Sequence, residues 1–221
     1  MAKRVYAIVK SELLKWGRTS AGFKIEVVAK KMRVHSQKII DWENGNKHPT
    51  VNQLRNLAKI YKRPLAAFYL PKVPKDFQVL RDYRKLPDTP DISESPELMF
   101  AIRDAQLKRD QAIDIANEIY YSIREFSFST NINVDVDNLA DRIRNLLGVS
   151  IERQITWKHN WKALNNWKRA LEALDVLVFQ ASGVSEELMS GFSIYNKKFP
   201  VIVINSKSTY TKRIFTIFHE L

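Results

Sequence analysis

Residues 25–45 read IEVVAKKMRVHSQKIIDWENG. Val28 and Ala29 share the inward side of a short helix over 25–32, and a turn follows at Arg33-Val34. Ile39 and Trp42 then anchor a second helix over 36–43. Asn44-Gly45-Asn46 stops it, because Asn and Gly tolerate the left-handed backbone that a helix end requires. Two such helices joined across Met32-Arg33-Val34 have the length and apolar pattern of a helix-turn-helix, whose second helix fits the DNA major groove. In that arrangement Ser36, Gln37, Lys38 and Asp41 project outward between Ile39 and Trp42. Gln37 can pair with adenine through two hydrogen bonds, and Lys38 can reach guanine or phosphate. Lys30, Lys31, Asn46 and Lys47 flank the groove as phosphate contacts. His35 has two open readings: a cap of the recognition helix that touches phosphate, or a side chain packed at the turn.

The neighbouring segments complete a small all-α domain. Val5, Ile8, Val9, Leu13 and Trp16 have near-helical spacing, which predicts a first helix over 5–16 ended by the 17–22 stretch. Thr50 is a good N-cap for a fourth helix carrying Leu54, Leu57, Ala58 and Tyr61. Pro64 opens a short fifth helix over 65–69.

Charge singles out the same region. The 221 residues carry a formal net charge of +12. Residues 1–75 hold 17 Lys+Arg and 4 Asp+Glu, whereas residues 76–221 hold 19 and 20. A basic domain joined to a neutral one points to a polyanion partner for the first, here double-stranded DNA. A membrane surface fits less well, because turn signals break the basic segments. No apolar run is long enough to span a bilayer and no signal-peptide core opens the chain, so a cytoplasmic protein is expected. The chain has no cysteine, which excludes disulfides, thiolate metal sites and a Cys nucleophile.

The segment 25–70 resembles the Cro/repressor-like (XRE) helix-turn-helix family. The residues that carry the resemblance are VAKKMRV at 28–34, WENG at 42–45, PT at 49–50, and Leu54, Leu57 and Ala58. It departs from that family twice. Arg33 stands at the usual turn glycine, and Ile25 replaces the polar residue that often opens the second helix. The resemblance implies sequence-specific DNA binding, with a homodimer where two half-sites are read.

Beyond residue 70, Pro71, Pro74, Pro87, Pro90 and Pro96 mark a linker or extended arm over 71–96. A long helix is expected from Glu97 to about Ile123, and another is capped by Asp135 and closed by Gly148. A third runs from about Ala163 to Leu174. Three short strands follow at 176–179, 191–195 and 201–204, and a final helix covers 209–221 with Ile214, Ile217, Phe218 and Leu221 inward. The fold class is therefore mainly α with a small β-sheet (α+β): a five-helix domain over 1–70 and a second domain over 97–221.

The last helix ends IFTIFHEL at 214–221. His followed by Glu on an apolar helix is the first half of the zinc-peptidase motif H-E-x-x-H, in which two His on one face bind Zn²⁺ and the Glu activates water. By itself a His-Glu pair says little. The surrounding segments are RPLAAFYLP at 63–71, RDYR at 81–84, GFSIY at 191–195, FPVIVIN at 199–205 and RIFTIFHEL at 213–221. With these, the chain resembles the ImmA/IrrE metallo-endopeptidases that carry an N-terminal XRE domain. The resemblance implies a gluzincin-like core, His219 as first zinc ligand and Glu220 as catalytic base. It also implies a repressor-type protein as substrate, held by strand addition at an edge such as 201–204. The second His and an acidic ligand would follow Leu221. Zn²⁺ is thus expected for the full-length parent, while this chain is expected to hold no catalytic zinc and to be inactive as a peptidase. A truncation, or a natural chain that lost its peptidase half, would each explain the ending. A competing reading is a helix-turn-helix repressor or antitoxin-like protein whose C-terminal domain only dimerises or senses a ligand.

Several other residues fit structural roles better than chemical ones. Trp157, Trp161 and Trp167 with Lys158, Lys162, Lys168 and Arg169 suit a helix with a Trp-rich inner face better than a single-strand binding surface. His159 reads as a surface residue and His48 as a loop residue, and Asp135, Asp137 and Asp141 suit helix capping.

Overall fold

The computed structural model describes residues 5–74, 95–131 and 133–221. Most of the proline-punctuated stretch 71–96, with the RDYR segment, lies outside the described residues. The described residues fall into two compact units, one of residues 5–74 and 95–100, the other of residues 101–131 and 133–221.

In the first unit the helices are α1 (Ser11–Thr19), α2 (Ile25–Met32), α3 (Ser36–Glu43) and α4 (Val51–Ile60), followed by a 3₁₀ turn at Leu65–Tyr69. Their inward faces meet in one core around Leu14, Val28, Ile39, Trp42, Leu54, Leu57, Tyr61 and Phe68. Thr50 caps α4 as expected. Its hydroxyl accepts from Gln53 N, and the Gln53 side chain accepts from Thr50 N, a reciprocal capping box. Ile25, which opens α2, is half-buried and packs against this core.

The expected helix over 5–16 is corrected at both ends. Residues 5–9 are extended, with Tyr6 bridged to Thr50, Ala7 N donating to Pro49 O and Val51 N donating to Val5 O. Ala7 and Val9 point inward while Ile8 is 81% exposed. That alternation has a period of two, which spacing alone confuses with a helical stripe in so short a run. The 17–22 stretch likewise ends the helix later than expected, since Gly17 lies inside α1.

The second unit contains α5 (Pro96–Glu118, its first turn counted with the first unit), α6 (Val136–Leu147), α7 (Ile151–Ile155), α8 (Asn160–Glu172) and α9 (Tyr210–Glu220). Asp135 caps α6 at Asn138 N, and Gly148 closes it in the left-handed conformation. Helix α7, capped by Ser150, was not foreseen, being too short for periodicity to register. Strands β1 (Leu177–Ala181), β2 (Gly191–Ile194) and β3 (Val201–Asn205) form one sheet in the order β1-β3-β2. β1 runs parallel to β3 with Leu177 opposite Val201, and β2 runs antiparallel with Gly191 opposite Ile204.

The segment proposed as a substrate-holding edge is therefore the central strand. β3 is paired on both sides and buried throughout, so β1 and β2 are the edges. An unbroken VIVI run is what a strand covered on both faces requires.

Helix α9 packs on β2, β3 and α8, and its Ile217 is buried in the second core, which also holds Ile202, Ile204 and Leu171. Gly191 permits this approach: a Cβ there would lie 2.3 Å from Thr216 Cγ2 and 2.6 Å from Val203 O. The tryptophans divide. Trp167 is buried and makes edge contacts with Trp157 at 5.3 Å and Phe218 at 4.8 Å, while Trp161 is half-exposed and stacks on His159.

Candidate nucleic-acid interface

The turn between α2 and α3 is built on Arg33, whose φ of 54° and ψ of 48° are left-handed. Arg33 N donates to Lys30 O and Val34 N to Ala29 O, so the last carbonyls of α2 are satisfied as a glycine would satisfy them. A side chain at this backbone geometry costs about 1 kcal/mol. His35 occupies the N-cap position of α3, but its side chain makes no capping bond and is exposed.

Two residues that sequence reasoning passed over hold α3 in place. Arg18 on α1 donates from Nε to Glu43 Oε1 at 2.7 Å, from Nη2 to Glu43 Oε2 at 2.8 Å, and from Nη1 to Phe23 O at 2.9 Å. Both side chains are buried, 12% and 6% exposed. The Glu43 carboxylate raises the Arg18 pKa above its ordinary value. Tyr61 is also raised, first by burial and then by the Glu43 charge, so its phenol stays protonated. A signal was present: positions 39, 42 and 43 share one helical face, which turns Glu43 inward beside Ile39 and Trp42 and demands a cation.

Asp41 faces the same side of α3 as Gln37 and Lys38, but it is covered there by its neighbours. Asp41 is only 9% exposed. Gly45, with φ of 77°, lets the chain reverse after α3, and Asn46 N and Lys47 N then donate to Asp41 O. The reversal lays Lys47 over the same residue, and its Nζ donates to Asp41 Oδ2 at 2.8 Å. From the other side Gln37 Nε2 donates to Oδ1 at 3.0 Å. These two donors, Lys47 first, hold the Asp41 carboxyl below its ordinary pKa.

His35, Gln37, Lys38, Asp41 and Lys47 line one open groove, which Val5, Tyr6 and Ile8 border on one side and the start of α4 on another. Lys38 extends along the helix to lie 5.7 Å from the Trp42 ring centroid. Ser36 is half-buried at the start of α3. Lys30, Lys31 and Asn46 are exposed outside the groove lining, with Lys31 Nζ 5.8 Å from the Phe23 ring centroid. The bordering arm has no local signal of its own, since its alternation over 5–9 also fits a helical stripe.

In the second unit, His219 lies exposed on α9 and stacks on Phe215 at 6.0 Å, and Glu220 Oε2 accepts from Ser193 Oγ on β2 at 3.1 Å. A zinc site needs three protein ligands. Among the described residues no group of three His, Cys, Asp or Glu side chains comes together, so His219 and Glu220 do not make a zinc site with the other described residues. Among the same residues no helix is long and apolar enough to cross a membrane.

No curated protein and no solved structure matches the chain. Residues 14–68, from α1 through the 3₁₀ turn, match the sequence model of the helix-turn-helix family, of XRE type.

Proposed function

We propose that the protein is a sequence-specific DNA-binding regulator, with α3 as the helix that enters the major groove. The observation that carries this is the open groove along α3, lined by Gln37, Lys38 and Lys47 in a helix-turn-helix within residues 1–75, whose 17 Lys+Arg against 4 Asp+Glu account for the chain's excess positive charge. A two-fold operator would be read by a homodimer, one α3 per half-site. Fluorescence anisotropy with a duplex selected from random sequence tests the reading. Affinity is expected to fall steeply with added salt, because bound Lys and Arg release counterions, and Lys38→Glu is expected to abolish specific binding. Salt-independent affinity, or unchanged binding by Lys38→Glu, removes α3 from the groove.

A second reading concerns the C-terminal unit: a zinc metallo-endopeptidase-like domain that acts on a repressor-type protein where the rest of an H-E-x-x-H site follows His219-Glu220. The hydrogen bond that ties Glu220 at the end of α9 to edge strand β2 supports it, since a peptide paired to that edge would run beside the His219-Glu220 pair. Sequencing the coding region past codon 221 tests it. A second His two residues on, at H-E-x-x-H spacing and followed by an apolar helix, supports the peptidase. Its absence leaves a C-terminal unit that dimerises or senses a ligand.

A further inference from the structure

The geometry points to Asp41 as the residue that sets which base Gln37 reads: its carboxylate fixes the Gln37 amide in the orientation that pairs with adenine. This rests on the DNA-binding reading above. An ionised carboxylate only accepts hydrogen bonds, so it admits the nitrogen end of the Gln37 amide and repels the oxygen end. Gln37 Nε2 stands 3.0 Å from Asp41 Oδ1, which commits one of its two hydrogens. The second Nε2 hydrogen and the carbonyl Oε1 remain, one donor and one acceptor. Adenine offers the complement in the major groove, with N7 accepting and the N6 amine donating, whereas guanine offers two acceptors.

Lys47 completes the device. Its Nζ, 2.8 Å from Oδ2, occupies the other carboxylate oxygen and offsets the negative charge that would otherwise face phosphates. Each Asp41 oxygen thus already accepts one bond, and the Lys47 charge is set against it, which makes the residue a weaker acceptor for a cytosine amine, the base an unpaired Asp would read. The backbone supports this arrangement, since Asn46 N and Lys47 N both donate to Asp41 O and hold the reversed chain against the helix. Asp41 is in these terms a positioning residue, and Gln37 makes the contact.

The test is a comparison of base preference. Duplexes selected with the full chain are varied one base pair at a time, and Gln37→Ala identifies the pair at which preference disappears. At that pair the wild-type protein is expected to favour adenine by about 5- to 150-fold. Asp41→Asn, which keeps the shape but can face either end of the amide, is expected to cut that ratio below about threefold, and Asp41→Ala likewise. The readout is a ratio between duplexes that differ at one pair, so a general loss of affinity or folding cancels. A wild-type preference retained in both Asp41 variants overturns the inference, as does a base other than adenine at that pair, or no pair responding to Gln37→Ala. A wild-type protein that selects no sequence overturns the DNA-binding reading itself, and the inference with it.

Discussion

Replacing Glu43 with Leu removes the carboxylate that Arg18 grips, and the structure sets the size of the effect. Arg18 loses its two charge-assisted bonds to Glu43, at 2.7 and 2.8 Å, and among the described residues keeps the one to Phe23 O, in a site where its side chain is 12% exposed. An uncompensated buried charge of this kind costs about 3–5 kcal/mol. The reverse change, Arg18→Met, strands the Glu43 carboxylate at 6% exposure and is expected to cost a similar amount. The double variant carries neither charge and fills the space with apolar atoms, so it is expected within about 1.5 kcal/mol of the wild type. The two units need not unfold together, so a single melting curve is unsuitable. Native-state hydrogen exchange of the full chain, read in peptides from α1 and α3, isolates the helix-turn-helix. A cost of 3–5 kcal/mol appears there as a rise of roughly two to four powers of ten in opening. Single variants that cost less than about 1 kcal/mol, or a double variant that costs the sum of the singles, would refute the pairing as the element that holds α3.

Arg33→Gly, at the left-handed turn between α2 and α3, is expected to stabilise the unit by about 1 kcal/mol in the same exchange measurement, while Arg33→Ala is not. Gly191→Ala places a methyl group against Val203 O, which cannot move aside, and is expected to destabilise the second unit by about 1–3 kcal/mol; Thr216→Ser, which removes only Cγ2, should restore part of the loss. Asp41 titrates below its ordinary 3.8 in the folded chain, so the stability it contributes is complete above that value and is lost as pH falls through the lower folded value. An NMR titration of its carboxyl carbon is expected to move upward in Lys47→Ala, and an unmoved midpoint would show that Lys47 does not hold it.

The helix-turn-helix was readable because its signals are local. Val28 with Ala29, and Ile39 with Trp42, mark the inward faces, and Gly45 and Thr50 mark an end and a start through backbone conformation and a cap. The three strands were legible for the same reason: runs of β-branched and aromatic residues separated by turn residues. Apolar periodicity likewise predicts the last helix, and α9 carries Ile214, Ile217 and Phe218 into the second core.

Other features depend on contacts between residues far apart in the chain. Strand order is one: the 201–204 run looks the same at an edge or in the centre, and pairing with both β1 and β2 placed it in the centre. The arm over 5–9 is another, since its extended form is held by backbone bonds to Pro49 and Val51, some 40 residues away. Helical periodicity and turn residues in the chain's own order suffice to specify the α+β pattern and a basic DNA-reading unit, because those signals act over a few residues. The orientation of Gln37 is different. It follows from a carboxylate that a chain reversal buries and a lysine lays claim to, and hydrogen bonds of that kind form only once the backbone has brought their partners together.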